Sequence, residues 1–393
     1  LYNKKAFFGM LLARFSAIIL LVGIAFTSHS QSLPSCSNRP KQALLPRVTM
    51  GFCLELAVHQ PQEGEMAFTA LAFAPDGTLY ASRPLRGQVV AMTDTDGDLL
   101  VDSPRVIAEG LNSPNALVWH QDALYIGVEG GVMRWQEGIV SPVIEGLPVG
   151  AFMTSALAIY DDRLWVGVGA PCNLCEFDRE TFGVVWSYAL DGTDGISVAK
   201  GLRQPMAFAV LEGALYISDV APYGTENAFD ELNRVENGTD YGFPLCITGD
   251  ELACAGTQAP TLRFLPQVAP VAFLPYVGQA FPLLEGKMLM AMMGKASASI
   301  PIGYELTALD ATPPNPEEWQ FTPIAPVDNS IVDVVLRVIP SSWGVFYDNP
   351  TSEYLSRRGA GFYPHLFYGV AISPEGWIYL ASGGGRLYAL RNL

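Results

Sequence analysis

One short pattern recurs along the chain: an apolar strand, a tight polar turn, then a second strand rich in Leu, Tyr and Val. The clearest copies are LAFAPDGTLY at 71–80 and VAISPEGWIY at 370–379. Weaker copies lie at 117–125, 157–165 and 208–216, and a stretched one pairs 270–273 with 287–290. Alternating apolar residues either side of a Pro-Asp-Gly type turn make antiparallel hairpins, and no single hairpin buries its own apolar face. Six such units in succession predict an all-β fold, a six-bladed β-propeller of four-stranded antiparallel blades. The 38 glycines and 29 prolines among 393 residues punctuate the chain too often for long helices.

Propeller geometry decides which loops meet. Neighbouring strands in a blade run antiparallel, so residues just before the first strand and just after the second share one face of the disc. This rule gathers Met66 and Arg83, Asn115 and Glu129, Met153 and Cys172, Arg203 and Asp219, Gln267 and Lys295, and His365 and Gly383 around the channel mouth. A site in this chain has to be built from those residues and their neighbours. The stretch 219–246 is the richest of these loops, with carboxylates at Asp219, Glu226, Asp230 and Glu231 and breaks at Pro222 and Gly224. Hard oxygen ligands and free backbone carbonyls in one loop suit calcium. DTDGD at 94–98, followed by Asp102, offers a second acidic turn, placed between outer strands on the opposite face.

The net charge of −16 excludes a nucleic-acid backbone and an anionic membrane surface as partners. At the start, Lys4 and Lys5 precede an apolar run, and small residues at 28–30 follow it. Residues 1–30 are therefore expected to be an export signal or an N-terminal anchor, since 6–27 is long enough to span a bilayer. A linker at 31–43 and the propeller at 44–393 complete the expected layout. Export to a periplasmic or extracellular compartment makes disulfides the default for the six cysteines, and local spacing favours Cys36 with Cys53, Cys172 with Cys175 and Cys246 with Cys254. The alternative for Cys172-x-x-Cys175 is a redox or zinc site, since the spacing suits both, and a four-cysteine zinc site would recruit Cys246 and Cys254.

The order GLRQP (201–205), LYISD (215–219), AP (221–222), DELNRVENG (230–238) and YGFP (241–244) resembles the soluble quinoprotein glucose and sorbosone dehydrogenases, whose ligand is pyrroloquinoline quinone (PQQ). The sorbosone-dehydrogenase-like branch is the most similar, because it also carries a CNxCE loop, here CNLCE at 172–176. The resemblance covers roughly residues 44–392. It implies oxidation of a sugar or related alcohol or aldehyde, with hydride passed to PQQ and calcium polarising the quinone carbonyl. It places Arg203 and Gln204 at the cofactor, and Lys295 and Arg83 join them on the same face by the loop rule. It places the calcium at the backbone carbonyls of Ala221 and Pro222, with Asp230 in support and Tyr241 at the family's loop tyrosine.

Other positions depart from the family. Met153 stands where the family has its catalytic histidine, Ser155 replaces an arginine, QVAP (267–270) replaces His-Ser-Ala-Pro, and GKASA (294–298) and HLF (365–367) lack further family residues. Of the four histidines only His365 falls at the mouth, as a relocated base. Two functions follow as expectations. One is a PQQ- and calcium-dependent dehydrogenase with a sugar or alcohol substrate and an electron acceptor. The other is a catalytically inactive propeller of the same family that binds a ligand or protein through an apolar mouth.

Overall fold

The computed structural model of the protein describes residues 48, 51–64, 66–152, 154, 156–225, 228–247, 252–264, 266–294, 305–325, 335–338, 345–348 and 367–392. Among these, strands dominate and the helical pieces are three-residue 3-10 turns such as Pro61–Glu63. Six antiparallel sheets form the propeller, as the repeats predict. Blade 1 comprises Leu71–Phe73, Leu79–Arg83, Gln88–Met92 and Arg105–Ala108, and blade 2 comprises Ala116–His120, Ala123–Val128, Gly131–Gln136 and Ile139–Glu145. In blade 3, Ala156–Tyr160, Arg163–Val168, Val184–Ala189 and Ile196–Lys200 are joined by a fifth, parallel strand, Thr239–Asp240. Blade 4 uses Pro205–Leu211, Ala214–Asp219, Asp230–Arg234 and Leu262–Phe264; blade 5 uses Pro270–Pro275, Met288–Met292, Glu305–Asp310 and Gln320–Ala325.

Blade 6 closes the ring. Its strands Phe367–Ile372, Ile378–Ser382 and Arg386–Asn392 take their outermost partner from the other end of the chain, Phe52–His59, with Phe52 opposite Asn392. Inside this joint the Arg391 guanidinium meets the Glu55 carboxylate, Nε to Oε2 at 2.6 Å, and lies 4.3 Å from the Trp377 ring. A further hairpin pairs Val335–Val338 with Val345–Asp348.

Adjacent blades pack through the second and third strands, whose alternating residues are apolar on both faces because both are covered. Between blades 1 and 2, Tyr80 stacks on Trp119 with centroids 5.3 Å apart, above the fully buried Val89, Leu124 and Ile126. Each such aliphatic side chain contributes roughly 1.5–3 kcal/mol on burial. Between blades 4 and 5, Met288, Met290 and Met292 fill the seam against Phe264, and the Ser218 hydroxyl donates to the Pro270 carbonyl at 2.8 Å.

Disulfides join Cys172 to Cys175 and Cys246 to Cys254, which replaces the zinc alternative by two loop staples. Cys53 is also disulfide-bonded; its expected partner, Cys36, lies outside the described residues. So do the export or anchor segment 1–30 and the linker at 31–43. Among the described residues no helix is long and apolar enough to cross a membrane.

Candidate functional site

The first strand of blade 4 leaves the rim of the disc, the second returns to it at Asp219 and the third leaves it again from Asp230. Pro205 pairs with Asp219 and Asp219 with Glu231, so the GLRQP turn and both carboxylates meet at one point. Gly201 makes this approach feasible. It sits at φ +83°, and a Cβ there would lie 2.5 Å from Asp240 Oδ1 and from the Gly242 nitrogen.

Two buried carboxylates shape the loop. Asp219 accepts the Arg203 N–H at 2.9 Å and the Gln204 N–H at 2.6 Å. Asp230 accepts the N–H groups of Ala221 (2.8 Å), Gln267 (2.9 Å) and Ala269 (2.7 Å), tying the rim loop of blade 4 to the entry of blade 5. Gln267 and Ala269 have φ of +66° and +50°, a left-handed backbone that these residue types adopt only when surroundings impose it. Asp230 imposes it here, and the Gln267 side chain is thereby aimed at the rim, where Nε2 donates to the Pro222 carbonyl at 3.3 Å.

Burial pushes the Asp219 carboxyl up to about 6 and those of Asp230 and the half-buried Glu231 up to about 7. Repulsion from Asp219 adds to the rise at Asp230 and Glu231, while hydrogen bonds to the carboxylates oppose it. Among the described residues, Arg203 acts on Asp219 and Arg263 on Glu231, and neither offsets the rise that burial causes.

Arg203 is itself fully buried. Its guanidinium packs against the rings of Phe152 (4.3 Å) and Tyr223 (4.6 Å). Nε donates to the Asn173 carbonyl (3.1 Å), Nη2 to Asn173 Oδ1 (2.7 Å), and Nη1 to the Val220 carbonyl (2.8 Å) and Gln204 Oε1 (3.2 Å). Asn173 also clasps the backbone of Tyr223 in both directions, accepting its N–H at 2.9 Å and donating to its carbonyl at 3.0 Å.

The structure thus brings Arg203, Gln204, Ala221, Pro222 and Asp230 together. Arg83 ends the second strand of blade 1 on the same face, but it is paired with Glu63 at 3.4 Å and packed on Phe68. Tyr241 goes elsewhere. It packs in the core between blades 3 and 4, and its hydroxyl donates to the Arg234 carbonyl at 2.7 Å, at the far end of the strand that starts with Asp230. Four residues of strand, about 13 Å, separate that hydroxyl's partner from the rim. Lys295, Met153 and His365 lie outside the described residues.

Tyr223 and Phe152 are the rim residues that sequence reading does not single out, and the contact of Asn173, known from the CNLCE motif, with Arg203 is also not readable there. The signal for Asn173 is its place in a four-residue disulfide ring, which has few conformations to choose from. Inside the ring, a cavity of ≈ 630 Å³ is lined by the first strands of all six blades, including Leu71, Leu157, Met206, Val271 and Val370. Thr69, Asn115 and Gln204 supply polar groups, and among the described residues no charged side chain lines it. The DTDGD turn gathers Asp94, Asp96 and Asp102 between the outer strands of blade 1, away from this rim; Asp98 instead accepts the Leu100 N–H at 2.8 Å.

Fold and rim define a six-bladed propeller with an acidic, carbonyl-bearing loop beside a buried arginine. A model of the Glucose / Sorbosone dehydrogenase family matches residues 197–300, which contain that loop. No curated protein sequence matches the chain. The holo PQQ domain of pyranose dehydrogenase from Coprinopsis cinerea is similar at 15% identity and a TM-score of 0.66, covering 91% of this chain and 99% of that one. The apo soluble aldose sugar dehydrogenase of Escherichia coli follows at 14% and 0.58, covering 87% and 100%. The PQQ-bound aldose sugar dehydrogenase of Streptomyces coelicolor follows at 16% and 0.54, covering 88% and 99%. At these identities the likeness establishes the shared propeller fold.

The residues present fit a hard cation: backbone carbonyls at Ala221 and Pro222 stand next to buried carboxylates that lack full compensation. For an anionic cofactor, Arg203 is the described cation in the rim loop, but its side-on edge is filled by Asn173 and Arg83 is paired with Glu63.

Proposed function

We propose that this chain is an exported dehydrogenase of sugars or related alcohols and aldehydes, dependent on PQQ and calcium, that delivers electrons to a separate acceptor. The single observation that carries this reading is the rim loop, which the family match spans and in which Asp219 and Asp230 bind the N–H groups and leave carbonyls for a cation. When bound, PQQ supplies the hydride acceptor and calcium polarises its carbonyl. The carbonyls of Ala221 and Pro222 would hold the metal, with Asp230 fixing their loop through the Ala221 N–H. Arg203, with Gln204 at its side, serves the carboxylates of the cofactor, and Arg83, released from Glu63, and Lys295, assigned by sequence position, add to it. Sequence position assigns His365 to take the substrate hydroxyl proton. The two disulfides suit an oxidising compartment outside the cytoplasm.

Reconstitution tests this. Purified protein given PQQ and calcium is expected to show a bound-quinone absorbance and sugar-dependent dye reduction, and His365→Ala is expected to keep the absorbance and lose at least about a hundredfold in rate. Failure to bind the quinone, with the Cys172–Cys175 disulfide either closed or reduced, would eliminate the enzyme. A second reading is favoured by a channel that no charged side chain lines among the described residues and by the occupied edge of Arg203: a propeller that binds its ligand without turnover. Quinone binding with no dye reduction for any sugar or alcohol would select it.

A further inference from the structure

The two oxygens of Asn173 occupy the Nε and Nη2 edge of Arg203 at 3.1 and 2.7 Å. That edge is the one a carboxylate takes when it binds arginine side-on through two parallel hydrogen bonds. The guanidinium packs against the rings of Phe152 and Tyr223 and both Nη1 hydrogens are committed, so a ligand carboxylate has no other complete edge to use. Asn173 reaches this position from the ring closed by Cys172 and Cys175, in which Cys175 is exposed to solvent.

We propose that Asn173 is an internal stand-in for a ligand carboxylate on Arg203, held there by the Cys172–Cys175 disulfide, and that opening this ring frees the guanidinium for a carboxylate-bearing ligand. The inference rests on Arg203 being the anchor named in the proposed function. A dithiol reductant of the thioredoxin class opens the ring by exchange. Its thiolate attacks one Sγ, the Cys172–Cys175 bond breaks, and a mixed disulfide forms. Its second thiol then displaces the cysteine, so the reductant leaves as a disulfide and the two cysteines gain two electrons and two protons. In an oxidising compartment the closed ring is the resting state. Opening it also releases the Tyr223 backbone, and with it one of the two rings packed against Arg203.

PQQ is the probe, and its dissociation constant is measured for the wild type, for Asn173→Ala with its disulfides intact, and for Cys172→Ser with Cys175→Ser. Both altered forms are expected to bind PQQ about tenfold or more tightly than the wild type, within the usual range of a coupling between sites. Adding Arg203→Gln should remove that gain. Equal or weaker binding by variants whose circular dichroism matches the wild type would overturn the latch, as would a gain that survives Arg203→Gln. Should the variants fail to fold, wild type reduced by a dithiol, with Cys246→Ser and Cys254→Ser protein as the oxidised control, gives the same comparison. If the wild type binds PQQ and turns over while the opened forms bind no better, the latch alone is wrong. Absence of PQQ binding in every form would remove the latch and the proposed function together.

Discussion

Asp230→Ala is expected to destabilise the propeller by about 3–6 kcal/mol, a loss visible in urea or thermal unfolding. The substitution leaves the N–H groups of Ala221, Gln267 and Ala269 without their acceptor. A buried donor stripped of its partner costs about 1–3 kcal/mol, and part of that sum is recovered by local relaxation. Relaxation is limited here, because Gln267 and Ala269 hold left-handed φ values that Asp230 maintains. Asp230→Asn keeps the volume and one acceptor oxygen, and should cost about half as much. Equal stability of wild type and Asp230→Ala would show that the carboxylate does not organise the rim.

The second large effect is a fall in stability with rising pH that calcium reverses. Asp219 is raised to about 6 and Asp230 to about 7, with burial the first cause for both. Between an unfolded carboxyl near 4 and these folded values, the native protein holds protons that the unfolded chain has released. Stability from these groups is therefore complete below about pH 4 and is lost as pH climbs towards about 7. In EDTA the Tm should be lower at about pH 8 than at about pH 5, by a margin reflecting a few kcal/mol. A cation at the Ala221 and Pro222 carbonyls favours the ionised forms, so calcium should raise Tm more at the higher pH. Asp94→Asn with Asp102→Asn provides the background, since that turn is an acidic group of its own. A Tm that climbs with pH in EDTA, or a calcium increment equal at both, would contradict the arrangement.

Much of this architecture is written in short-range pattern. LAFAPDGTLY at 71–80 and its five relatives carry both the strand alternation and the turn, so the inner half of every blade can be read directly, and with it the shared rim of Arg203, Pro222 and Asp230. Ring closure is different. Phe52–His59 pairs with a strand more than 300 residues away, and nothing local distinguishes it from any other apolar alternation. Side-chain direction was also hidden at the points that matter most. Tyr241 stands beside the loop in sequence yet turns into the seam between blades 3 and 4, because its ring fits there among Leu202, Phe208 and Ile217. Arg203 reads as a free anion-binding fork, whereas its surroundings come from Phe152 and Asn173 in another blade's loops, which only the folded ring brings near. Arg83 likewise meets Glu63, which precedes its blade.

A structure of the protein with PQQ and calcium bound is the most direct measurement of whether this rim is a cofactor site. The expected density is a metal on the Ala221 and Pro222 carbonyls in place of the Gln267 amide, with a quinone carboxylate on Arg203 where Asn173 now sits. Density for quinone or calcium away from these residues, or an unchanged Gln267 and Asn173 at saturating cofactor, would contradict it.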